Sequence, residues 1–462
     1  MDLRLSTAIA ASKLSGIAIR RLGRGGGTAV PGIIGNLIDP SLLDKLGRQV
    51  PAGCIVVAGT NGKTTTARML AAILEQAGLV VIHNRTGSNL VRGISAAFAE
   101  QSSLAGSPVG DIAVIETDEA AFPEVVRRVS PRLVLLLNLF RDQLDRYGEL
   151  DTIARRWQET VATLPADCLL LANGDDPALA ALTVDAPVQR RYFGIADSRY
   201  VLDALPHAAD AAVCRRCGAP LAYTQLFLSH LGDYRCPRCG FHRPPLDDAA
   251  DDIALHDLET IDLRLRHDNL SLPLHIGVPG LYNAYNAVAA AAAALSLGVQ
   301  PDAVTTALGA FRSAFGRIER VAYDGRQLVI ILVKNPVGFN EVLRMLAMSD
   351  ASSPTLILIN DLDADGRDVS WLWDVDFEQL AGIDAPFATG GIRGADMAVR
   401  LKYAGIPASR IRPLGDVRAA FDAFVASVPA GSTAYILPTY TAMLELRALL
   451  AEGGVVPAFW QQ

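Results

Sequence analysis

The stretch "CIVVAGTNGKTTT", residues 54–66, decides the fold, because a run of apolar residues passes into a glycine-rich turn and then into a helical pattern. Such a turn lets backbone N–H groups point at phosphate oxygens, and the following helix adds the positive end of its dipole. Lys63 supplies a positive charge for terminal phosphates, and Thr64 offers a hydroxyl to Mg²⁺. We therefore predict a nucleotide triphosphate site, with a helix starting near Thr65, formed by Gly59, Thr60, Asn61, Gly62, Lys63, Thr64 and Thr65.

The loop departs from the general signature G-x-x-x-x-G-K-[ST] at one position. Val57 stands where the first glycine is expected, and Gly59 follows two residues later. The alternative interpretation is an ordinary glycine-rich turn between a strand and a helix. We favour the phosphate site, because the lysine and the threonine stand at the expected positions after a strand.

A magnesium–triphosphate site also needs a carboxylate at the end of a neighbouring strand. The segment "DIAVIETDEAAFP", residues 111–123, places Glu116 at the end of an apolar run. We predict that Glu116 and Thr64 hold Mg²⁺, directly or through water. Asp118 and Glu119 follow closely, and their alternative role is to cap the next helix.

Strand-like and helix-like patterns alternate after the loop, which predicts an α/β fold with a parallel sheet covered on both faces. The alternation of strand and helix patterns is interrupted at about residues 205–245, and a second set of strands begins near Val321. We expect an N-terminal basic helix and linker over 1–50, a central P-loop ATPase domain over 51–318 with an insertion at about 205–245, and a C-terminal α/β domain over 319–462.

Composition excludes some classes of function. The 462 residues carry a net charge of −7, which argues against a general nucleic-acid binder. No run reaches the roughly 18–20 apolar residues of a membrane span. The first 21 residues form an apolar helical pattern interrupted by Arg4, Lys13, Arg20 and Arg21. We expect this helix to pack on the body of the protein; the alternative is contact with a membrane surface.

Four of the six cysteines form two Cys-x-x-Cys pairs, "CRRC" and "CPRC", with 18 residues between them. This spacing is typical of a zinc ribbon, and four thiolates would leave no open position for catalysis. The alternatives are disulfides or a redox pair. We predict a structural zinc site in a chain whose thiols stay reduced, held by Cys214, Cys217, Cys236 and Cys239.

Several motifs occur here in the order that the Mur ligase family has them. They are the loop, the strand-end glutamate, "NLFRDQLDRYGELD" (138–151), "NGDDP" (173–177) and "GLYNAYNAVAA" (280–290). The chain resembles that family from about residue 50 to its C-terminus. The resemblance implies that ATP converts a carboxylate to an acyl phosphate, which an amine then attacks. It also implies that Asn283 and Asn286 lie near the ATP and that Arg317 approaches its phosphates.

The chain departs from family members that add amino acids. It has "RDQLDRYG" where they carry a "DHLDYH"-like segment, so that Asp142, Asp145 and Tyr147 stand there, and "VKNPVGFNE" (333–341) replaces the "DYAH-N-P" loop. These changes disfavour an amino-acid-adding ligase or a folylpolyglutamate synthase-like enzyme. They leave Lys334 as a further candidate for stabilising phosphate charge.

The acidic segment "NDLDADGRDVSWLWDVDFE", residues 360–378, narrows the resemblance. Taken alone, it would be a solvated loop or an incidental metal site. Together with the ribbon it resembles the MurT family, the Mur-ligase-like subunits of lipid II isoglutaminyl synthase. That resemblance implies a heterodimer with a glutamine amidotransferase partner (GatD-like), whose ammonia amidates the α-carboxylate of D-isoglutamate in the lipid II stem peptide. It further implies that one aspartate here completes the partner's Cys-His pair: Asp374 is our first choice and Asp368 our second.

The nitrogen source has to come from outside the chain, because Cys54 and Cys168 lie in strand-like runs without the turn that would present a nucleophile. We expect a cytoplasmic enzyme at the inner face of the membrane, in contact with the membrane through its substrate. A rival of another class is a nucleotide-dependent binding module. ATP consumption that requires lipid II with ammonia or glutamine would distinguish the enzyme from that module.

Overall fold

The computed structural model describes residues 2–21, 29–84, 88–141, 150–207, 209–256, 258–312, 318–348 and 352–456. The chain divides into two compact units. The first unit comprises residues 1–140, 148–204 and 210–311, and the second comprises residues 141–147, 205–209 and 312–462. Each unit has its own sheet, as the two sets of apolar runs predict.

The first unit is built on a nine-stranded sheet in the order β11-β10-β9-β6-β5-β4-β1-β3-β2. The pairs from β2 to β9 are parallel, as predicted for short apolar strands separated by helices. The strands are β1 (Cys54–Ala58), β2 (Val81–His83), β3 (Ile112–Glu116), β4 (Leu133–Leu136), β5 (Leu169–Asn173), β6 (Gln189–Ile195), β9 (Asp248–His256), β10 (Thr260–His267) and β11 (Leu270–Ile276).

The sequence patterns did not predict strands β9, β10 and β11. β9, β10 and β11 form an antiparallel extension, and β10 alternates buried and exposed side chains along its length. A strand with one face in water lacks the continuous apolar run that marks a buried parallel strand. The sheet is therefore mixed at this edge.

The helices of the first unit cover this sheet. They are α1 (Leu3–Arg21), α2 (Ala29–Ile38), α3 (Leu42–Gly47), α4 (Lys63–Gln76), α5 (Val91–Glu100), α6 (Phe122–Val129), α7 (Leu150–Val161), α8 (Pro177–Thr183), α9 (Leu281–Ser296) and α10 (Pro301–Ala310). The alanine-rich helix α9 is buried along most of its length and packs on α4, because small side chains let the helices approach closely.

The N-terminal helix packs on the body of the protein, as expected. Leu5, Ala8 and Ile9 are buried on the side of α1 that joins the main hydrophobic cluster, and the Lys13 Nζ donates to the Glu100 carbonyl at 3.0 Å. None of the helices in the described ranges is both long and apolar enough to cross a membrane.

A two-stranded antiparallel hairpin, β7 (Ala222–Leu228) and β8 (Leu231–Arg235), forms the core of the insertion between β6 and β9. The side chains of Leu221, Tyr234 and Phe241 pack into a small cluster with two of the cysteines. The Tyr234 hydroxyl donates to the Gly174 carbonyl at 3.2 Å, which ties the hairpin to the end of β5.

The second unit has a six-stranded sheet in the order β12-β13-β17-β14-β15-β16, parallel except for the β12–β13 hairpin. Its own hydrophobic cluster lies between the sheet and its helices. The strands are β12 (Glu319–Tyr323), β13 (Arg326–Ile330), β14 (Thr355–Leu358), β15 (Phe387–Gly390), β16 (Ile411–Pro413) and β17 (Thr433–Pro438), and the helices are α11 (Pro336–Met348), α12 (Gly394–Tyr403), α13 (Val417–Ser427) and α14 (Tyr440–Glu452).

Candidate functional site

The glycine-rich loop lies between β1 and α4, at the carboxyl end of a central strand. Gly62 precedes α4 with φ +85°, and a Cβ there would lie 2.1 Å from Asn286 Oδ1. At Gly59 a Cβ would lie 2.8 Å from the Leu137 Cβ. Both glycines are therefore required by close approach of neighbouring atoms, as a loop that wraps phosphate oxygens needs. The helix begins at Lys63, two residues before the predicted start, and Thr65 is buried within it.

Asn138, which follows β4, holds the loop in place. Its Oδ1 accepts from the Asn61 N–H at 2.8 Å, and its Nδ2 donates to the Asn61 carbonyl at 3.0 Å. The Thr60 N–H donates to the Asn138 carbonyl at 3.0 Å. Sequence reasoning missed this asparagine as a support of the loop, although it opens the quoted motif 138–151. Only the pairing of β1 with β4 brings it beside the loop.

Lys63 is buried and its ammonium is bonded to neighbouring oxygens. Its Nζ donates to the Gly59 carbonyl at 2.5 Å, to the Thr60 carbonyl at 3.1 Å and to Glu119 Oε2 at 3.1 Å. Glu119 is therefore not a helix cap, which was the role considered for it. Asp118 accepts from the Ala120 N–H in the turn before α6. Sequence reasoning missed the Lys63–Glu119 pair because the two residues lie 56 positions apart.

Thr64 and Glu116 meet across the β1–β3 pair. The Thr64 Oγ1 donates to Glu116 Oε1 at 2.9 Å, and the glutamate is almost fully buried. Asn84 fixes the strand end, because its side chain bonds both the N–H and the carbonyl of Glu116. A hydroxyl and a carboxylate at this distance are an oxygen pair of the kind that Mg²⁺ takes.

Asn283 and Asn286 lie on α9, beside the loop and the first turn of α4. Asn286 Oδ1 accepts from the Thr66 hydroxyl at 3.2 Å, and its Nδ2 donates to Asn283 Oδ1 at 3.0 Å. Asn283 in turn donates to the Pro279 carbonyl at 2.6 Å. The structure thus brings Asn286 directly against the loop, with Asn283 behind it.

Several other predicted residues fall outside the described ranges or belong to the second unit. Arg317 is outside the described residues, as are Asp142, Asp145 and Tyr147. Lys334 is exposed in the second unit, just before α11. The neighbouring Asn335 Oδ1 accepts from the Gly338 N–H at 2.9 Å, so this part of the "KNP" segment caps the helix.

A buried carboxylate in the "NGDDP" motif connects the hairpin to α9. Asp175 accepts from the Tyr285 hydroxyl at 2.7 Å and from the Ile195 N–H at 2.8 Å, and it forms an ion pair with the Arg243 Nε at 2.8 Å. Burial raises the pKa of Asp175 to about 6, although Arg243 opposes the shift. The next residue, Asp176, caps α8 with two N–H bonds.

The four cysteines of the two pairs converge. Their Sγ atoms all lie within 4.8 Å of one another, and no other group of this kind occurs in the described ranges. The Sγ atoms of Cys214 and Cys239 are 3.6 Å apart, and those of Cys217 and Cys236 are 3.4 Å apart. Thiolates around zinc at about 2.3 Å stand about 3.8 Å apart, so the set fits a tetrahedral ion. All four are free thiols, which removes the disulfide alternative.

The remaining two cysteines have the environment of inert thiols. Cys54 and Cys168 are buried, and burial raises the pKa of each to about 12. A nucleophilic cysteine needs a lowered pKa and access to its substrate. Neither residue therefore has the properties of a glutaminase nucleophile.

The two candidate aspartates of the acidic segment, Asp368 and Asp374, have different surroundings. Asp368 accepts from the Ser370 N–H at 2.8 Å and from the Ser370 hydroxyl at 2.9 Å, and these bonds lower its pKa. Asp374 ends a short 3₁₀ turn, with its side chain 40% exposed and its Oδ2 3.9 Å from Arg141 Nη1, beyond hydrogen-bond distance. Asp368 is exposed but its carboxylate is engaged by Ser370, whereas Asp374 is half-buried and pairs only loosely with Arg141.

The neighbouring Asp376 stabilises the segment that carries Asp374. Asp376 Oδ2 accepts from Asn340 Nδ2 at 2.8 Å, and the Asp376 N–H donates to Asn340 Oδ1 at 2.8 Å. Arg400 bonds the carbonyls of Leu372 and Val375 on either side of the turn. The position of Asp374 is therefore set by contacts within its own unit.

Comparison with known proteins gives matches along the chain. The family described as "Mur ligase middle domain" matches residues 57–211, and the family described as "MurT ligase C-terminal" matches residues 332–443. A protein of Streptococcus pneumoniae named lipid II isoglutaminyl synthase (glutamine-hydrolyzing) subunit MurT is 33% identical over 99% of both chains. The protein of that name from Staphylococcus aureus strain COL is 32% identical over 98% of this chain and 100% of its own.

A solved structure shares the fold. The pseudomurein peptide ligase type C of Methanothermus fervidus superposes with a TM-score of 0.70 over 89% of this chain and 81% of that chain, at 20% identity. At this identity the likeness concerns the fold alone.

Proposed function

The chain belongs to the Mur ligase family and, within it, to the MurT subunits of lipid II isoglutaminyl synthase, and from this premise we propose that it is the ligase subunit of such a synthase. It catalyses the ATP-dependent amidation of lipid II. The family resemblance drawn from the sequence motifs is confirmed by the full-length similarity.

The observation that carries the activity is the arrangement at the carboxyl ends of β1 and β3. The glycine-rich loop, the buried Lys63 ammonium and the Thr64–Glu116 pair lie together there. We propose that the loop binds the ATP phosphates and that Thr64 and Glu116 hold the Mg²⁺. A bound Mg²⁺ would neutralise phosphate charge, and Lys63 would leave Glu119 for a phosphate oxygen.

The reaction has two steps. A carboxylate oxygen of the stem peptide attacks the γ-phosphorus of ATP, which forms an acyl phosphate and releases ADP. Ammonia then attacks the acyl carbon, the carbon–oxygen bond to phosphate breaks, and the amide and inorganic phosphate form. Such chemistry depends on positioning and charge neutralisation. We propose Arg317 and Lys334 as further cations for this charge.

The test of the activity is Lys63→Ala. Amidation of lipid II with ATP and ammonia, followed by mass spectrometry, is expected to fall by about 100-fold or more, because a charge aimed at the transferring phosphoryl group is lost. Lys402→Ala, on α12 of the second unit, is the matched control and should keep full activity. An unchanged rate in Lys63→Ala would overturn the proposal.

We propose that a separate glutamine amidotransferase subunit supplies the ammonia, because the relatives are named as glutamine-hydrolysing subunits and Cys54 and Cys168 are buried. We propose that Asp374 joins the partner's catalytic cysteine and histidine as the third residue of a triad. Its carboxylate would hold the histidine in the required tautomer. The two bonds that Asp368 accepts from Ser370 support this choice over Asp368.

The paired variants Asp374→Asn and Asp368→Asn test this assignment in the complex with the partner. Asp374→Asn should lose glutamine-dependent amidation and keep ammonia-dependent amidation, whereas Asp368→Asn should keep both. Equal glutamine-dependent rates in the two variants would contradict the assignment.

We also propose the finer organisation. The domain boundaries lie near residues 50 and 318, the four thiolates hold a structural zinc ion, and the chain works at the inner face of the membrane, where a lipid-linked substrate is reached. The convergence of the thiols supports the zinc, and the printed substrate of the relatives supports the location.

A further inference from the structure

The first two helices carry apolar side chains on their outward surfaces. On α1 these are Leu14 and Ile17, and on α2 they are Val30, Ile33 and Leu37. Leu14 is 67% exposed and Leu37 is 76% exposed. The spacing of three and four residues places each set on one side of its helix. We call these five side chains the outward stripes.

Neither helix needs its outward stripe for packing. α1 is buried through Leu5, Ala8 and Ile9. α2 packs through small residues, because a Cβ at Gly32 would lie 1.6 Å from the Arg92 carbonyl oxygen and a Cβ at Gly35 would lie 3.2 Å from Leu42 Cδ1. A helix at a protein surface is normally polar on the side facing water. These two helices instead carry large apolar side chains among their exposed residues.

Charge in this segment has one sign. Residues 3–38 contain no aspartate or glutamate, in a chain with 49 acidic residues and a net charge of −7. The same segment contains the basic residues Arg4, Lys13, Arg20, Arg21 and Arg24. Apolar side chains combined with local positive charge are what an interfacial helix uses at a membrane with anionic headgroups.

We propose that the outward stripes of α1 and α2 dock on an anionic lipid surface. Apolar side chains enter the boundary between headgroups and acyl chains, while the positive charge of the segment attracts anionic headgroups. The benefit of docking rests on the proposed function, because a chain bound to the membrane would encounter a lipid-linked substrate by diffusion in the plane of the membrane. Lipid binding itself does not depend on that function.

The test is flotation of the purified full chain with vesicles that contain no lipid II. One set contains phosphatidylglycerol and phosphatidylcholine, and the other contains phosphatidylcholine alone. The test variant is Ile33→Asp with Leu37→Asp, and the control is Val399→Asp, an exposed apolar residue on α12. Circular dichroism checks the fold of each chain.

The wild type and the control are expected to float with the anionic vesicles, less so at high salt. The double variant is expected to partition about 100-fold less, because two large side chains lose their burial in lipid. Absence of flotation in the wild type, or equal flotation of the double variant, would overturn the proposal. The proposal would also be overturned if the wild type did not float but formed a dimer, and the double variant were monomeric. That result would assign the stripes to self-association.

Amidation of detergent-solubilised lipid II separates this proposal from the function on which it rests. The double variant should amidate the solubilised substrate at the wild-type rate, because the stripes are distant in sequence from the loop. If no chain amidates lipid II although the wild type floats as expected, the proposed function fails and the docking proposal stands.

Discussion

Gly62 is the residue at which backbone conformation and the neighbouring helix constrain the loop together. Its φ of +85° lies in the left-handed region, and Asn286 Oδ1 occupies the space where a Cβ would lie. Gly78, after α4, has nearly the same φ of +88°, but a Cβ there would have no neighbouring atom within 4 Å. Comparing substitutions at Gly62 and Gly78 therefore separates the energetic cost of a positive φ from the cost of a clash with Asn286.

We expect Gly62→Ala to weaken ATP binding by at least about tenfold, because backbone strain and a clash of van der Waals radii both distort the loop. Gly78→Ala introduces only the backbone strain and should bind ATP normally. Adding Asn286→Ala to Gly62→Ala should recover part of the affinity. Calorimetric titration with ATP measures all three, and normal affinity in Gly62→Ala would contradict the role given to this contact.

Glu341 on α11 makes stability depend on pH. Burial raises its pKa to about 7, and Arg344, whose Nη1 is 4.0 Å from Oε1, only partly opposes the shift. Since the folded pKa is above the unfolded one, the stabilising contribution is present below about pH 4.5 and is lost as the pH rises to about 7.

Glu341→Gln should remove this loss. At pH 8 the free energy of unfolding of the variant is expected to exceed that of the wild type by about 2 kcal/mol, and the difference should be much smaller at pH 4.5. Urea unfolding at the two pH values measures the difference. Glu452→Gln, at an exposed position, is the control and should show no such gain; a Glu341→Gln variant less stable at pH 8 would contradict the buried-charge argument.

At the scale of elements, the hairpin of β7 and β8, which the four cysteines flank, is joined to the nucleotide loop by a series of contacts within the first unit. Arg243, just after the hairpin, pairs with Asp175, which accepts from Tyr285 on α9, and the same helix carries Asn286 to the loop. Each contact is buried or half-buried. The hairpin therefore supports the helix that positions Asn286.

If the four cysteines hold zinc as proposed, Cys236→Ser is expected to abolish zinc binding and to lower ATP affinity several-fold, because the hairpin would lose a metal that contributes to its folding. His242→Ala is the control, since this exposed histidine lies beside the cysteines but outside the cluster. Metal analysis and ATP titration give the two readouts. Full zinc content in Cys236→Ser would exclude the four-thiolate site.

The elements most accessible to sequence reasoning were those with continuous apolar runs or local motifs. Strands β1, β3, β4 and β5 and the glycine-rich loop belong to this group, because burial on both faces leaves a plain pattern. β10 and β11 alternate buried and more exposed residues, β9 lacks a continuous apolar run, and none of the three was anticipated. Asn138 and Glu119 were missed as partners of the loop, since strand pairing and a distant turn bring them there.

At the scale of the whole molecule, the two units have separate hydrophobic clusters. Trp157 and Phe122 belong to the cluster of the first unit, and Phe421 and Phe424 belong to that of the second. Within the second unit, Arg447 bonds Glu319 at 2.5 Å and so ties β12 to α14. A unit that buries its own core has the means to fold alone.

Residues 318–456 expressed alone are expected to unfold in one cooperative urea transition, because the second cluster is complete within them. A shorter piece that starts at residue 333 lacks β12 and β13 and should fail to fold, since Leu328 and Ile330 leave the core. A non-cooperative transition in the longer piece would show that its core is insufficient.

The hairpin's place in the chain also affects the order of assembly. Residues 196–247 connect β6 to β9, which pair in parallel, so the connection has to close before the last three strands can join the sheet. The proposed zinc ion, bound by four thiolates, would shorten that connection and lower the entropy lost on closure. Without the metal, the pairing of β9 with β6 would cost more entropy, so metal supply would affect how readily β9–β11 join the sheet.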